Sequence, residues 1–459
     1  MIRHIFNLFE RILVLLLFSG LLIPLSLSVI WRSCFDRFPK QELSIILRRW
    51  IHFAKYGLRS LRRRWWVPLC YESYSVLWRY AVLAELSSLL NLAFAATAKT
   101  RTDNYLAIRM GHPGDLIQAI PMLRQLRKNR PQARISLLVG PWCVDLARRI
   151  AYVDEVIVYC PALRQYHRSN RSNMCSLSHE LQVLWALRRR NSDICFSLEP
   201  HHILDVALQY AIRPRQWIGM KEDSSPYQPA VIVRSILFDS RQPEAEMLMG
   251  LLAVAGQETG STQLEFPVRE EDRLWVQQVI RRENLKPGQY AVLAPGAGWP
   301  GKIWSAERFA ELGDWLQQER GLGVVLAGSS SENALGVLVL SQMQHMPLSL
   351  MGQTSLGQIG ALLESAALYV GNDSAILHIA SSVGIPSVAL FGPTYAEKWA
   401  PRGMQHRYLQ HRKTVCQANC HPWHVEARCN RGQVCMKAIT VAEVQQAIAD
   451  VCMASGPKP

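Results

Sequence analysis

The chain has 459 residues, 49% of them hydrophobic and 19% charged, with a net charge of +15 at neutral pH. That length suggests two or three domains, and that apolar content excludes a disordered or low-complexity chain. Residues 1–100 hold fourteen Lys/Arg against five Asp/Glu, so nine of the fifteen net positive charges fall in the first fifth of the sequence. With no zinc finger, RNA-binding signature or long basic helix beyond it, the pattern argues against a nucleic-acid partner.

Residues 12–31, ILVLLLFSGLLIPLSLSVIW, are uncharged over a length that would span a bilayer. A secretory signal is the rival reading, but the run is long for one and no small-residue cleavage site follows. Arg37, Lys40, Arg48, Arg49, Lys55, Arg59 and Arg62, Arg63 and Arg64 come next, mixed with Trp50, Trp65 and Trp66. Such a tract suits an anionic lipid surface and, by the positive-inside rule, the cytoplasmic side. Pro24 leaves a monotopic hairpin open, and residues 75–98, carrying Arg79 and Glu85, read as an interfacial or docking helix. Residues 1–100 are therefore expected to be a hydrophobic and basic helical membrane-associating extension.

From residue 104 short apolar runs alternate with runs of helical spacing. YLAIR precedes DLIQAIPMLRQLRK, ARISLLVG precedes PWCVDLARRI, EVIVY closes that series, and DICFSLE follows the helical ELQVLWALRRR. A helix is expected over 243–255, and the alternation restarts at YAVLAPGAG. It continues through LGVVLAGS, ALYVGND and SVALFGP, each with a helical partner. Strands and helices in this order predict an α/β fold of two parallel, Rossmann-like domains facing a cleft. The expected divisions are 101–255, a linker over 256–285, 286–400, and a Cys-rich segment with a C-terminal helix over 401–459.

Ligands of such sheets sit at the carboxyl ends of strands. In the first domain the strand ends in IRMGHPGDLIQ, where Gly111 and Gly114 bracket a loop and Asp115 stands at the start of the helix. Locally Asp115 is a catalytic carboxylate or a plain helix cap. In the second, the APGAG strand end with Gly296 and Ala297 lets a ligand approach the backbone, and Lys302 follows it. Glu332 begins a helix after VVLAGSSS, as a first-turn acid or as an acceptor for ribose hydroxyls. In YVGNDSAILHIASSVGIPSVALFGPT a strand runs directly into a helix at Ser374. First-turn amides there would face an anion, beside Asp373, with His378 one turn on.

The ordered set GHPGDLIQAIPMLRQL, PGAGWPGKIWSAERFAEL, AGSSSE and VGNDSAILHIASSVGIPSVALFGPT resembles glycosyltransferase family 9, the ADP-heptose:lipopolysaccharide heptosyltransferases, over about residues 104–448. The resemblance implies the GT-B fold and an inverting single displacement that needs no metal. It matches Asp115 to the family's catalytic base, Lys302 to its phosphate-binding lysine, and Glu332 to the acid that holds ribose. The loop with Gly111 and Gly114 is then expected on the acceptor side, its glycines bringing the acceptor close to the backbone. It also matches Asp373 to the acid near the donor sugar and diphosphate, and His378 to the histidine of the same segment. Ala375 stands where that segment usually has glycine, which leaves the donor open. The expected partners are an ADP-sugar donor, a lipid-linked saccharide acceptor such as lipopolysaccharide core, and the anionic surface of the bacterial inner membrane on its cytoplasmic side. Protein glycosylation and a non-catalytic scaffold are the competing readings. A dinucleotide oxidoreductase is disfavoured, because GHPGD lacks a third glycine.

Eleven cysteines in a cytoplasm-facing protein should mostly be thiols. Cys416, Cys420, Cys429 and Cys435 are spaced C-x3-C-x8-C-x5-C, which makes a structural zinc or iron a candidate, buried thiols the alternative and disulfides third.

Overall fold

The computed structural model describes residues 103–160, 177–200, 208–209, 212, 214–221, 234–416, 429 and 431–455. The expected extension over 1–100 lies outside the described residues. Among those described, no helix is long and apolar enough to cross a membrane.

The described parts of 103–106 and 159–237 form one compact unit, and those of 107–158 and 238–455 form a second. The division falls inside the first strand. In chain order the elements begin with β1 (Asn104–Arg109), α1 (Pro113–Asn129), β2 (Arg134–Val139), β3 (Glu155–Val158) and α2 (Leu177–Arg189). They continue with β4 (Ile194–Pro200), β5 (Gln216–Lys221), β6 (Arg234–Leu237), α3 (Glu244–Val254) and α4 (Glu270–Arg282). The second series is β7 (Tyr290–Ala294), α5 (Ala306–Gln318), β8 (Gly323–Leu326), α6 (Asn333–Leu340), β9 (Leu348–Ser349) and α7 (Leu356–Glu364). It ends with β10 (Leu368–Asn372), α8 (Ala375–Ser382), β11 (Ser387–Phe391), β12 (His406–Gln410) and α9 (Val441–Ser455).

Two six-stranded sheets result, ordered β3-β2-β1-β4-β5-β6 and β12-β11-β10-β7-β8-β9, and every strand pairing with a described register is parallel. In each sheet the chain begins near the centre, builds outward in one direction and then returns to build in the other. The reversal lies at β1/β4 in one sheet and at β7/β10 in the other. At such a switch point the connections leave on opposite faces, which opens a crevice beyond the strand ends. Ala294 and Asn372 are the last residues of β7 and β10, so the polar loops that follow stand at the crevice of the second sheet, and Arg109 is the last residue of β1.

The central strands of the second sheet are continuous apolar runs because both faces are covered: all five residues of β7, β10 and β11 are buried. In the second sheet Leu293, Val370 and Leu390 pack with Trp304 and Phe309 of the α5 region and with Val444, Ile448 and Val451 of α9. Helix ends follow local chemistry. Ser355 accepts the Gln358 N–H at 3.2 Å while the Gln358 side chain accepts the Ser355 N–H at 2.8 Å, a reciprocal cap for α7.

The stretch expected to be a linker contains α4. Three acids fill its first turn, Arg281 and Arg282 its last, and Val276, Val279 and Ile280 are its buried face. The helix expected over 141–150 is instead a 3-10 turn, Pro141–Cys143, followed by a single α-turn, Val144–Ala147. There the Trp142 ring folds back over Gly140, filling the space a side chain would need. Strands β5, β6, β9 and β12 are absent from the sequence reading: β5 has only four buried residues between polar ends, β6 is largely exposed, β9 has two residues, and β12 is mostly polar.

Candidate active site

All the residues of this site lie in the second unit. Helix α1 begins at Pro113, which fixes φ and lacks the N–H that a first turn leaves unused. Asp115 is therefore not the cap but the third helical residue, reaching back so that Oδ2 accepts the His112 N–H at 2.6 Å. The preceding loop is pinned from β2's end: Trp142 Nε1 donates to the Gly111 carbonyl at 2.6 Å. Both glycines of this loop also have steric work. A Cβ at Gly111 would stand 2.5 Å from Asp115 Oδ2, and one at Gly114 would stand 2.6 Å from His378 Cδ2. The glycines make room for the two side chains.

His378, on α8, is buried, and its Nδ1 lies 3.1 Å from Gln118 Nε2 of α1. Burial pushes its pKa down, as does Lys302, against the pull of Asp373, Asp115 and Glu244, and the balance is below the usual 6.5. The ring is thus neutral at pH 7, with Nδ1 accepting from the Gln118 amide. The Asp115 side chain is one-quarter exposed. Burial raises its pKa, but the charges of Arg109, His112 and His378 and the His112 N–H outweigh burial and hold it below the ordinary 3.8. The carboxylate is ionised at neutral pH.

At the β7/β10 switch point Asn372 joins the loops: its Nδ2 donates to the Pro295 carbonyl at 2.7 Å and its Oδ1 accepts the Trp304 N–H at 3.2 Å. That ties the segment carrying Lys302 to the end of β10. Lys302 Nζ donates to Asp373 Oδ2 at 3.0 Å and to the Asp373 carbonyl at 3.1 Å. Thr394 Oγ1 donates to the same Oδ2 at 2.7 Å. Burial raises the Asp373 pKa, but Lys302, His378 and the Thr394 hydroxyl more than reverse that. Ser374 is the N-cap of α8 and Ala375 its first residue, half-buried at the loop mouth. Helix amides in that first turn have no intrahelical acceptor.

Glu332 closes the 3-10 turn Ser330–Glu332 and accepts the Ser329 N–H at 2.7 Å and hydroxyl at 2.8 Å. Its carboxylate lies over Gly296, where a Cβ would overlap it. Gly296 thus lets an acid from β8's loop reach the end of β7, with the half-buried Ala297 alongside. The sequence reading grouped Lys302, Glu332, Asp373, Ser374, Ala375, His378, Gly296 and Ala297. The structure brings Lys302 onto Asp373 and Glu332 onto Gly296, and sets His378 against the Asp115 loop.

An anion-receptive loop cluster on one side and an ionised carboxylate on the other suit displacement of a phosphate leaving group by a hydroxyl. Comparison with known proteins gives the family. The model of glycosyltransferase family 9 (heptosyltransferase) matches residues 182–427, more than half of the chain. The chain belongs to glycosyltransferase family 9. It is a glycosyltransferase, 26% identical over 303 residues to lipopolysaccharide heptosyltransferase 3 of Escherichia coli K12, covering 64% of this chain and 83% of that one. It is also 26% identical over 312 residues to lipopolysaccharide heptosyltransferase 2 of Salmonella typhimurium, covering 65% and 85%. Among solved structures it resembles a family 9 glycosyltransferase from Veillonella parvula (TM-score 0.61, 21% identity, 78% of this chain and 99% of that one). It also resembles E. coli ADP-heptose lps heptosyltransferase II (TM-score 0.58, 19% identity, 77% and 99%), and both likenesses are of fold.

The sequence reading missed three charged residues of this family 9 site. Arg109, Glu244 and Lys398 are 2%, 2% and 7% exposed and sit behind Asp115. The one local signal was Arg109, a charge inside the apolar run YLAIRMG; Lys398 follows Glu397 in YAEKWA, and neither it nor Glu244 stands out. Of the four clustered cysteines, Cys416 and Cys435 are buried and Cys429 half-buried, while Cys420 lies outside the described residues. Among the described residues no group of three or more His, Cys, Asp and Glu is arranged to hold a metal.

Proposed function

We propose that this glycosyltransferase moves heptose, or a related sugar, from an ADP-sugar to lipopolysaccharide core or another lipid-linked acceptor, with inversion and without a metal in the transfer step. The observation that carries the reading is the ionised Asp115 carboxylate aimed by Gly111 and His112 beside the neutral His378. In the reaction the acceptor oxygen bonds to the anomeric carbon as the bond from that carbon to the diphosphate oxygen breaks. The hydroxyl proton passes to Asp115, and ADP departs with the bonding pair. Positioned proton acceptance of this kind contributes roughly 10²–10⁴-fold.

Negative charge grows on the leaving diphosphate, and Lys302 with the first-turn amides of α8 would stabilise it. Glu332 would accept from ribose hydroxyls, with Gly296 and Ala297 flanking the nucleoside, and Asp373 would hold Lys302 in place until the diphosphate arrives. Residues 1–100 would keep the enzyme on the cytoplasmic face of the inner membrane, where anionic lipid-linked acceptors are presented. The domains would divide as 101–255 on the acceptor side and 286–400 on the donor side. A zinc or iron at Cys416, Cys420, Cys429 and Cys435 would be structural, since Cys435 and Met436 pack into the core of the second sheet.

The test is a donor screen on the purified full chain with membrane lipid extract, read by intact-mass change of the lipids. Transfer from ADP-heptose that Asp115→Ala abolishes, with ADP binding kept, is the expected result. Transfer that survives Asp115→Ala overturns the assigned base. Transfer from no nucleotide sugar at all overturns the reading as an enzyme of this kind.

A further inference from the structure

Arg109 ends β1 with its guanidinium divided between two carboxylates. Nη2 is 2.7 Å from Glu244 Oε1 but 3.6 Å from Asp115 Oδ1, while Nε donates to the Asp115 backbone carbonyl at 3.2 Å. The other Glu244 oxygen, Oε2, is 2.8 Å from Lys398 Nζ. The Lys398 ammonium lies over the Phe238 ring at 4.2 Å and near Trp399 at 5.2 Å. Asp115, Arg109, Glu244 and Lys398 thus form a row of alternating charge, and its last three members are buried.

Such a row is a poor device for stability alone. Buried ion pairs replaced by apolar residues of similar volume are often neutral or more stable. Its geometry does something more specific. A lone arginine beside a carboxylate closes into a bidentate pair, occupying the lone pairs that a base must offer. Here Glu244 takes the same Nη2 at the shorter distance, and Lys398 holds the other Glu244 oxygen at 2.8 Å. The groups that face Asp115 are then Arg109 at a distance, His112 from its own loop and His378 from α8; Glu244 faces Arg109 and Lys398 in direct contact and His378 through its charge.

We infer that Glu244, held by Lys398, is a positioning residue that keeps the Arg109 guanidinium off the Asp115 carboxylate, leaving an oxygen open to the acceptor hydroxyl. This rests on the reading of Asp115 as the base. Glu244 touches no reacting atom and acts through Arg109. Without it the guanidinium closes on Asp115, and the base is both covered and weakened.

Glu244→Gln alone leaves two buried cations without their carboxylate and can fail to fold, so the decisive variants are two charge-balanced pairs. Both are made in the full chain and compared by kcat and donor KM, with the donor and lipid acceptor identified in the screen above and with folded fraction matched by thermal melts. In Glu244→Gln/Lys398→Met the guanidinium remains and collapses: kcat falls about tenfold or more, as a covered general base predicts, with donor KM unchanged within about twofold. In Arg109→Met/Glu244→Gln the guanidinium is gone, and kcat stands several-fold above that of the first pair. A merely structural role predicts the reverse or equality, so two equally slow pairs, or a first pair as fast as the parent, overturn the inference. An Asp115→Asn control separates the failures. If it retains turnover, the base reading falls and this inference with it. If it is inactive while the first pair is fast, only this inference falls.

Discussion

Gly114 and His378 share one volume: the space where a side chain at 114 would begin is filled by the imidazole, 2.6 Å from Cδ2 to the Cβ position. The contact lets the first turn of α1 approach α8 until Gln118 reaches His378 Nδ1. Gly114→Ala should therefore act as overpacking in a buried setting, destabilising by about 1–3 kcal/mol. It should also cost activity by dislodging the ring. Gly111→Ala meets the quarter-exposed Asp115 carboxylate instead, which can swing away. It should lower turnover with little change in stability. Thermal melts and turnover of the two variants, side by side, check the contrast.

Lys302 and Asp373 predict opposite signs from neighbouring substitutions. Lys302 is bound to the Asp373 carboxylate at 3.0 Å, so an incoming diphosphate competes with that carboxylate for the ammonium. Lys302→Gln removes a charge-assisted contact of about 1.5–3 kcal/mol, which corresponds to ADP binding about ten- to a hundredfold weaker. Asp373→Asn removes the competitor, so ADP affinity should hold or rise. Titration calorimetry with ADP at fixed salt reads both. Equal weakening by the two would show that the ammonium binds through the pair rather than against it.

Gly296→Ala tests the placement of Glu332. A methyl at 296 overlaps the Glu332 carboxylate and would drive it from the Ser329 N–H and hydroxyl. If that carboxylate receives ribose hydroxyls, the variant should lose most of any preference for ADP over its 2′,3′-dideoxy analogue. Competition binding measures that ratio, and an unchanged ratio separates Glu332 from ribose recognition.

What the sequence made legible follows from chemistry that is local. Strands buried on both faces read as apolar runs, and polar loops at β7, β8 and β10 stood out because glycine, lysine and acids gather where the apolar run stops. What it hid was pairing at a distance. Glu244 is the first residue of α3, where an acid is ordinary, and nothing nearby in sequence tells that Arg109, 135 positions away, is its partner. Gly114 was legible as a glycine but not as the neighbour of His378, because the imidazole comes from another element. Helix α4 was within reach, since its acidic start, basic end and buried stripe are all local. Strand β12 was not, because its second and third residues are exposed and its pattern is that of an edge.

His406 gives a pH dependence of stability. It lies in β12, buried, with Nδ1 lacking a hydrogen-bond partner, and burial drives its pKa from 6.5 down to about 4. The unfolded chain binds a proton at this residue below pH 6.5, whereas the folded chain does not until about pH 4. Stability is therefore complete above pH 6.5 and is lost as pH falls through that window, by about 2 kcal/mol between pH 7 and 5. His378, also held below its usual value by burial, contributes in the same direction. His406→Leu places an apolar group where the ring nitrogen had no partner and removes one of these two titrations. The drop in Tm between pH 7 and pH 5 should shrink in the variant, with Tm at pH 7 equal to or above that of the parent. A drop of undiminished size would mean that His406 is protonated at little cost in the folded state, and that the acid sensitivity belongs to His378 and other groups.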